Sequence, residues 1–250
     1  MRDPASGWIQ LSAVELYLLW TTMGLGETPA VLDLVHVGRT PARRAELVEE
    51  TSDALAARDL GTVTQPARDV AAMVRALGTA TASLDMRVYG EGTPLFAFAG
   101  AGPSGAAVAA RVGDEVRVGT VRPTALASSL LGSLTGLPAG PGRPVNVNAA
   151  DYATACQEGA FDGASGFSRA LHAAGLRTTD VNTLLSALTT RRGGGQLGAT
   201  GRVRAHSVVN WLDTPEGRYA LRRGGDWITV TPADTARLTT MAEEMLADVA

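Results

Sequence analysis

The residues able to do chemistry are few, and their spacing does not bring them together. The only histidines are His36, His172 and His206, and none has a second histidine or a carboxylate four residues on, the spacing that sets two metal ligands on one helix face. All 22 basic residues are arginine, which removes Schiff-base chemistry, a lysine general base and a Walker-type phosphate lysine. Gly163-Ala164-Ser165-Gly166-Phe167 resembles a nucleophile elbow, but Phe167 stands where the second glycine belongs. Gly193-Gly194-Gly195-Gln196-Leu197-Gly198 has the letters of a dinucleotide fingerprint in a reversed context, a helix before and a strand after, and a flexible loop is expected there instead. Glu49-Glu50 and Glu243-Glu244 fall on outward faces of predicted helices, which water accounts for. No catalytic, cofactor or metal site is expected, so the chain is not expected to be an enzyme. The alternative in that class is a hydrolase built on Ser165 or His206.

Charge gathers in one place. Arg191, Arg192, Arg202, Arg204, Arg218, Arg222 and Arg223 outnumber Asp213 and Glu216 in the same stretch, enough to hold phosphates or acidic partner residues. The net charge of -3 and the lack of interleaved aromatic and basic residues speak against nucleic acid.

Two similar units frame these residues. Thr120-Val121-Arg122-Pro123 and Thr229-Val230-Thr231-Pro232 each end a strand-rich stretch and lead into a proline-started helix. Each is preceded by a helix and about four short strands. The expected fold is α+β: a central antiparallel sheet with flanking helical bundles and a quasi-two-fold internal duplication. It is expected to be one domain over 1–250, with halves at about 1–135 and 149–250 joined by a Gly/Pro-rich linker, 136–148. Joining two meanders into one sheet removes an edge and an apolar face from each.

The 45% hydrophobic content supports a packed core, and a lone Cys156 excludes a disulfide within the chain, so a reducing cytoplasm is expected. The N-terminal residues lack an apolar signal core, the run from Ala13 to Trp20 is interrupted by Glu15, and the uncharged windows are cut by Gly and Pro. Neither secretion nor membrane insertion is expected. The lysine-free, Ala- and Gly-rich composition points to a high-GC genome.

Along the chain, Ser12 and Glu15 form a capping box for a helix with Leu16, Leu19 and Trp20 on one face. Pro29 to Leu32 is expected to be extended, Thr40-Pro41 to start a helix ending near Arg58, and Pro66 to lead a third helix with Val70, Val74 and Leu77 inward. Strands carry Leu84, Met86 and Val88, then Phe96 and Phe98, then Val116 and Val118, with turns at Gly90-Glu91-Gly92, Gly102-Pro103 and Gly113-Asp114. This meander is expected to have one wet face. Helices follow near 149–158, 166–174 and 178–190, capped by Asn148 and Thr179. A second meander includes Val203, Val208 to Leu212, Tyr219 to Leu221 and Trp227 to Val230, and a last helix is expected from Pro232.

Asp213-Thr214-Pro215-Glu216-Gly217-Arg218 followed by Trp227-Ile228-Thr229-Val230-Thr231-Pro232 and a terminal Ala/Leu-rich helix resembles the C-terminal signature of the EspG family, the ESX (type VII) secretion-associated proteins of actinobacteria. The segments Trp8 to Thr22, Gly26-Glu27-Thr28-Pro29-Ala30-Val31-Leu32 and Ala56-Ala57-Arg58-Asp59-Leu60-Gly61 agree with it. The resemblance implies a cytosolic chaperone-like adaptor that binds the helical tip of a PE-PPE-like partner through its sheet, a hairpin loop and its C-terminal helical region. A WXG100-like helical hairpin is the alternative partner, and homodimers through sheet or helix contacts are compatible with it. A duplicated binding module for another protein or a small apolar ligand is the competing class.

Such an adaptor needs an apolar strip rimmed by charge. Phe96, Phe98, Trp211 and Leu212 supply the apolar candidates and Arg87, Glu91, Arg204 and Arg218 the rim. Arg191 and Arg192 flank the glycine run. Trp227 is assigned to the core.

Overall fold

The computed structural model describes residues 2, 3 and 6–250. The elements are β1 (Ile9–Ser12), α1 (Ala13–Thr22), α2 (Pro41–Ala56), α3 (Arg68–Gly78), β2 (Ala82–Tyr89), β3 (Leu95–Gly102), β4 (Gly105–Val112), β5 (Glu115–Thr120), α4 (Leu126–Leu131), β6 (Val145–Asn148), α5 (Ala149–Ala173), α6 (Thr178–Thr189), β7 (Gly193–Thr200), β8 (Val209–Thr214), β9 (Gly217–Gly224), β10 (Trp227–Pro232) and α7 (Thr235–Val249). The strands form one ten-stranded sheet in the order β1-β5-β4-β3-β2-β7-β8-β9-β10-β6, with every paired strand antiparallel. Each half runs strand, helices, four-stranded meander, helix, and the two meanders meet along β2 and β7. The fold is the α+β duplication expected, with its quasi-dyad between those two strands.

Local chemistry sets the first half. The Ser12 hydroxyl accepts from the Glu15 amide at 3.1 Å and the Glu15 carboxylate from the Ser12 amide at 2.8 Å, so the predicted capping box starts α1. Glu15 also pairs with Arg58 from the end of α2. Thr40 caps α2 through the Arg43 amide. Leu16, Leu19, Trp20, Val70, Val74 and Leu77 then meet Ala107, Ala109, Val116 and Val118 in a core on one face of the sheet. In the second half Val181, Leu184, Leu171 and Phe167 of α5 and α6 cover Tyr219, Val230, Val145 and Val147 on that same face. α4 and α7 cover the middle of the opposite face, where Leu126, Leu130, Leu238 and Met241 pack on Ala97, Ala99, Leu84, Met86 and Trp211.

Several expectations need correction. The first meander is not wet along one whole face: Ala97, Ala99 and Ala106 are small enough for α4 to lie close on one side, and α1 to α3 cover β4, β5 and Phe98 on the other, which leaves β2 open there at Arg87. Pro29 to Leu32 is not extended but turns through a 3-10 helix at Ala30–Leu32, ended by Asp33 at φ 48°. Arg177, not Thr179, precedes α6. Pro232 is the last residue of β10, and Asp234 caps α7 through the Arg237 amide at 2.8 Å. Val203 is an exposed loop residue. The final four residues of the 136–148 stretch are strand β6, and Gly140 before it presses on the Tyr219 ring. α5 is broken at Asp162 and Gly163, and Gly166 beyond the break packs on the Glu158 carbonyl before it, so its two legs fold back on each other.

A candidate partner-binding groove

The inner face that carries α1 to α3 on one flank and α5 and α6 on the other is bare between them. Across its middle, Phe96, Arg87, Gln196, Asn210 and Leu221 stand in one cross-strand row, by the pairings of β3, β2, β7, β8 and β9. Leu221 packs on the α5–α6 flank and Phe96 is half-buried between Tyr89 and Arg111, whereas Arg87 and Gln196 are exposed in the centre of a ten-stranded sheet. An antiparallel sheet can leave one face to water, but here helices cover both flanks of this face, so the exposed polar side chains between them mark an open trough. Gln196 Nε2 donates to Asn210 Oδ1 at 3.1 Å, which holds this part of the floor.

At the end of the trough lies a groove of about 700 Å³, bounded by the β2–β3 hairpin and the α6–β7 junction. Arg87, Tyr89, Glu91, Arg191, Arg192 and Gln196 line it, and Gly193 to Gly195, Asn210 and Leu212 form its floor. The glycine run is therefore strand β7, paired on both sides, and not the flexible loop expected. Its glycines are steric: a Cβ on Gly194 would meet the Trp211 carbonyl, and one on Gly195 would meet both the Trp211 ring and the Arg87 carbonyl.

Of the residues singled out from sequence, Arg87, Glu91, Arg191, Arg192 and Leu212 come together here, with Trp211 bordering the groove from beneath. Phe96 stands beside Arg87, edge-on to Tyr89 at 6.3 Å between ring centroids, with the Arg111 guanidinium 5.7 Å from its other side. Phe98 turns partly into the core under α1 to α3. Arg204 lies further along β2, bonded to both oxygens of Asp85, and that carboxylate holds its guanidinium pKa above the ordinary value. Trp211 and Arg218 are corrections: each is 1% exposed. Trp211 lies beneath the floor because its register places it opposite Leu212 on the covered face. Arg218 bonds Asp213 at 2.6 Å, the Thr135 carbonyl at 3.3 Å and the Thr235 hydroxyl at 3.3 Å. Trp227, assigned to the core, is 53% exposed, since β10 turns Ile228 and Val230 inward instead. Tyr89, Gln196 and Asn210 were missed. Tyr89 continues the alternation Asp85, Arg87 and was legible as such, whereas the glycines beside Gln196 hid the strand.

The EspG family model matches residues 12–244 of the chain. The chain belongs to the EspG family. The solved type VII secretion system chaperone EspG5 of Mycobacterium tuberculosis, in complex with a PE25–PPE41 dimer, has the same fold: TM-score 0.75 at 15% identity, covering 97% of this chain and 96% of that one. No curated protein sequence matches.

Elsewhere in this EspG-family chain the reactive side chains have structural surroundings. His36 packs on Tyr17 at 5.2 Å, and His172 Nδ1 lies 3.2 Å from the Leu176 carbonyl. Ser165 lies just past the break in α5, in helix and not on a strand-to-helix turn. Among the described residues no three His, Cys, Asp or Glu side chains group as metal ligands, and no helix is long and apolar enough to cross a membrane. Burial, then the neighbouring Cys156, pushes the Tyr152 hydroxyl up to about 12, while Arg191 at the groove edge pulls it the other way.

Proposed function

We propose that this EspG-family protein is a cytosolic chaperone of type VII secretion that holds the helical tip of a PE-PPE-like dimer in the trough across β2, β7 and β8. The observation that carries this reading is the bare centre of an otherwise covered sheet, where Arg87 and Gln196 face water between two helical flanks. A helix with its side chains is about 10 Å across, a size suited to a trough between such flanks. Tyr89 and Phe96 offer it apolar area, and the arginines and Glu91 form a polar rim. Capping a greasy tip in this way suppresses its self-association without any bond being made or broken. EspG5 was solved with a PE25–PPE41 dimer, and the shared fold and family support a partner of that class. A WXG100-like hairpin would present a similar tip. The chain is best treated as one unit whose halves, about 1–135 and 149–250, both contribute to the trough.

Co-expression with a PE-PPE-like dimer, or with a WXG100-like protein, followed by size-exclusion chromatography tests the assignment. Co-elution is expected, and Tyr89→Ala should weaken binding by about 30-fold, the effect of losing an aromatic anchor, while leaving the melting temperature unchanged. A partner that elutes apart, or a complex indifferent to Tyr89→Ala and Arg87→Ala together, would remove the groove from the reading.

A further inference from the structure

We propose that the groove selects a helix tip bearing carboxylates, an inference that rests on the docking reading above and specifies the partner's chemistry. Arg87, Arg191 and Arg192 line the groove against one acid, Glu91, in a chain whose net charge is -3. None of these four side chains makes an ion pair among the described residues. Neighbouring charges on the same face are matched: Arg204 with Asp85, and Arg111 with Asp33 and the Leu32 carbonyl. Arg191 and Arg192 follow the C-terminal end of α6, where the helix dipole favours cations. That accounts for two of the three. Arg87 stands within β2, where no helix end calls for a charge.

The floor fits the same occupant. Gly193 to Gly195 project no side chain between the guanidiniums, so an incoming carboxylate meets the arginines before it meets bulk. Planar guanidiniums bind carboxylates in a fork, and partial exclusion of water by Tyr89 and Leu212 strengthens that contact. The C-terminal end of a helix adds its own free carbonyls, so an acidic residue in the last turn of the inserted helix is the best match. The net positive rim also repels a basic tip, which gives discrimination as well as affinity.

The test uses three disulfide-closed synthetic helical hairpins with identical leucine-bearing tips, carrying a pair of Glu, Gln or Lys residues at the turn, titrated onto the full chain by fluorescence anisotropy. The Glu hairpin should bind about 10-fold more tightly than the Gln hairpin at low salt, and the Lys hairpin more weakly than both. The preference should shrink to about 3-fold or less in half-molar salt, where the Debye length falls to a few ångströms. Arg87→Gln with Arg192→Gln should abolish it, whereas Arg117→Gln, outside the groove, should not. Equal binding of all three hairpins, lost in Tyr89→Ala, would keep the helix-tip groove and overturn its acid preference. Binding by none of them would overturn both.

Discussion

Replacing Gly195 by alanine tests whether the glycine run is a tightly packed central strand. A Cβ there would come within 2.5 Å of the Trp211 ring on one side and of the Arg87 carbonyl on the other. The indole cannot retreat, because it is buried among α7 and the sheet, and the carbonyl belongs to the β2–β7 ladder that joins the two halves. Overpacking a fixed site costs about 1–3 kcal/mol, and an obstacle made of backbone places this one near the top of that range. Alanine's lower backbone entropy in the unfolded chain offsets it by about 0.5–1 kcal/mol. A net loss of about 2 kcal/mol should lower the melting temperature by roughly 4–8 °C in a chain of this length. Gly224→Ala is the control, since no atom lies within 4 Å of its Cβ position. Thermal unfolding followed by circular dichroism measures both. A Gly195→Ala protein that melts within a degree of the parent would show that the strand has slack, and the steric account of the groove floor would fail.

Other outcomes follow from particular contacts. Arg218→Met leaves the largely buried Asp213 carboxylate without its partner and should cost about 3 kcal/mol in urea unfolding, with Asp213→Asn recovering part of it; no loss would mean the pair contributes nothing. Burial raises the pKa of Asp180, but hydrogen bonds from Arg177 and Arg143 outweigh it and hold the carboxyl below its ordinary value. The stability it contributes is therefore present above the unfolded carboxylate pKa, about 3.9, and lost as pH falls through the lower folded value. Asp180→Asn should destabilise by about 1 kcal/mol at pH 7, with the difference from the parent shrinking as pH falls below the unfolded carboxylate pKa in a pH series of melts. Ser12→Ala should cost about 1 kcal/mol by removing the α1 cap, and calorimetry that finds no change would show the box is redundant with the Glu15–Arg58 pair.

What the sequence made legible was local and periodic. Ser12 with Glu15, Thr40 with Pro41 and the alternation through Leu84 to Val88 each declare an element within a few residues, and the paired Thr-Val-Arg-Pro and Thr-Val-Thr-Pro endings declared the duplication. Elements defined by what packs on them stayed hidden. β7 has no β-branched or aromatic residue in its first four positions, so nothing but the backbones of β2 and β8 identifies it as strand. Ala97 and Ala99 look neutral beside Phe96 and Phe98, yet they face the deeper core, and the aromatics take the more open side. Trp211 and Trp227 exchanged roles for the same reason: burial depends on which face a helix covers, and side-chain size does not reveal that. Arg191 and Arg192 were legible from the arginine-rich stretch and the glycine run beside them, and Arg87 from its place near Phe96 and Phe98 as a rim charge.

The seam between β2 and β7 has two ends, and perfect duplication would give each a berth. They differ. At the end away from the hairpin, Arg204 reaches across to Asp85 and Thr200, its loop is tethered to the last turn of α7 through the Arg202 amide and the Val249 carbonyl, and the α3–β2 turn settles onto Gly100 and Gly102. That mooring is occupied by the chain itself. A visitor of the proposed kind would thus find a single berth along this seam, and a one-to-one complex is the expected outcome despite the doubled architecture beneath it.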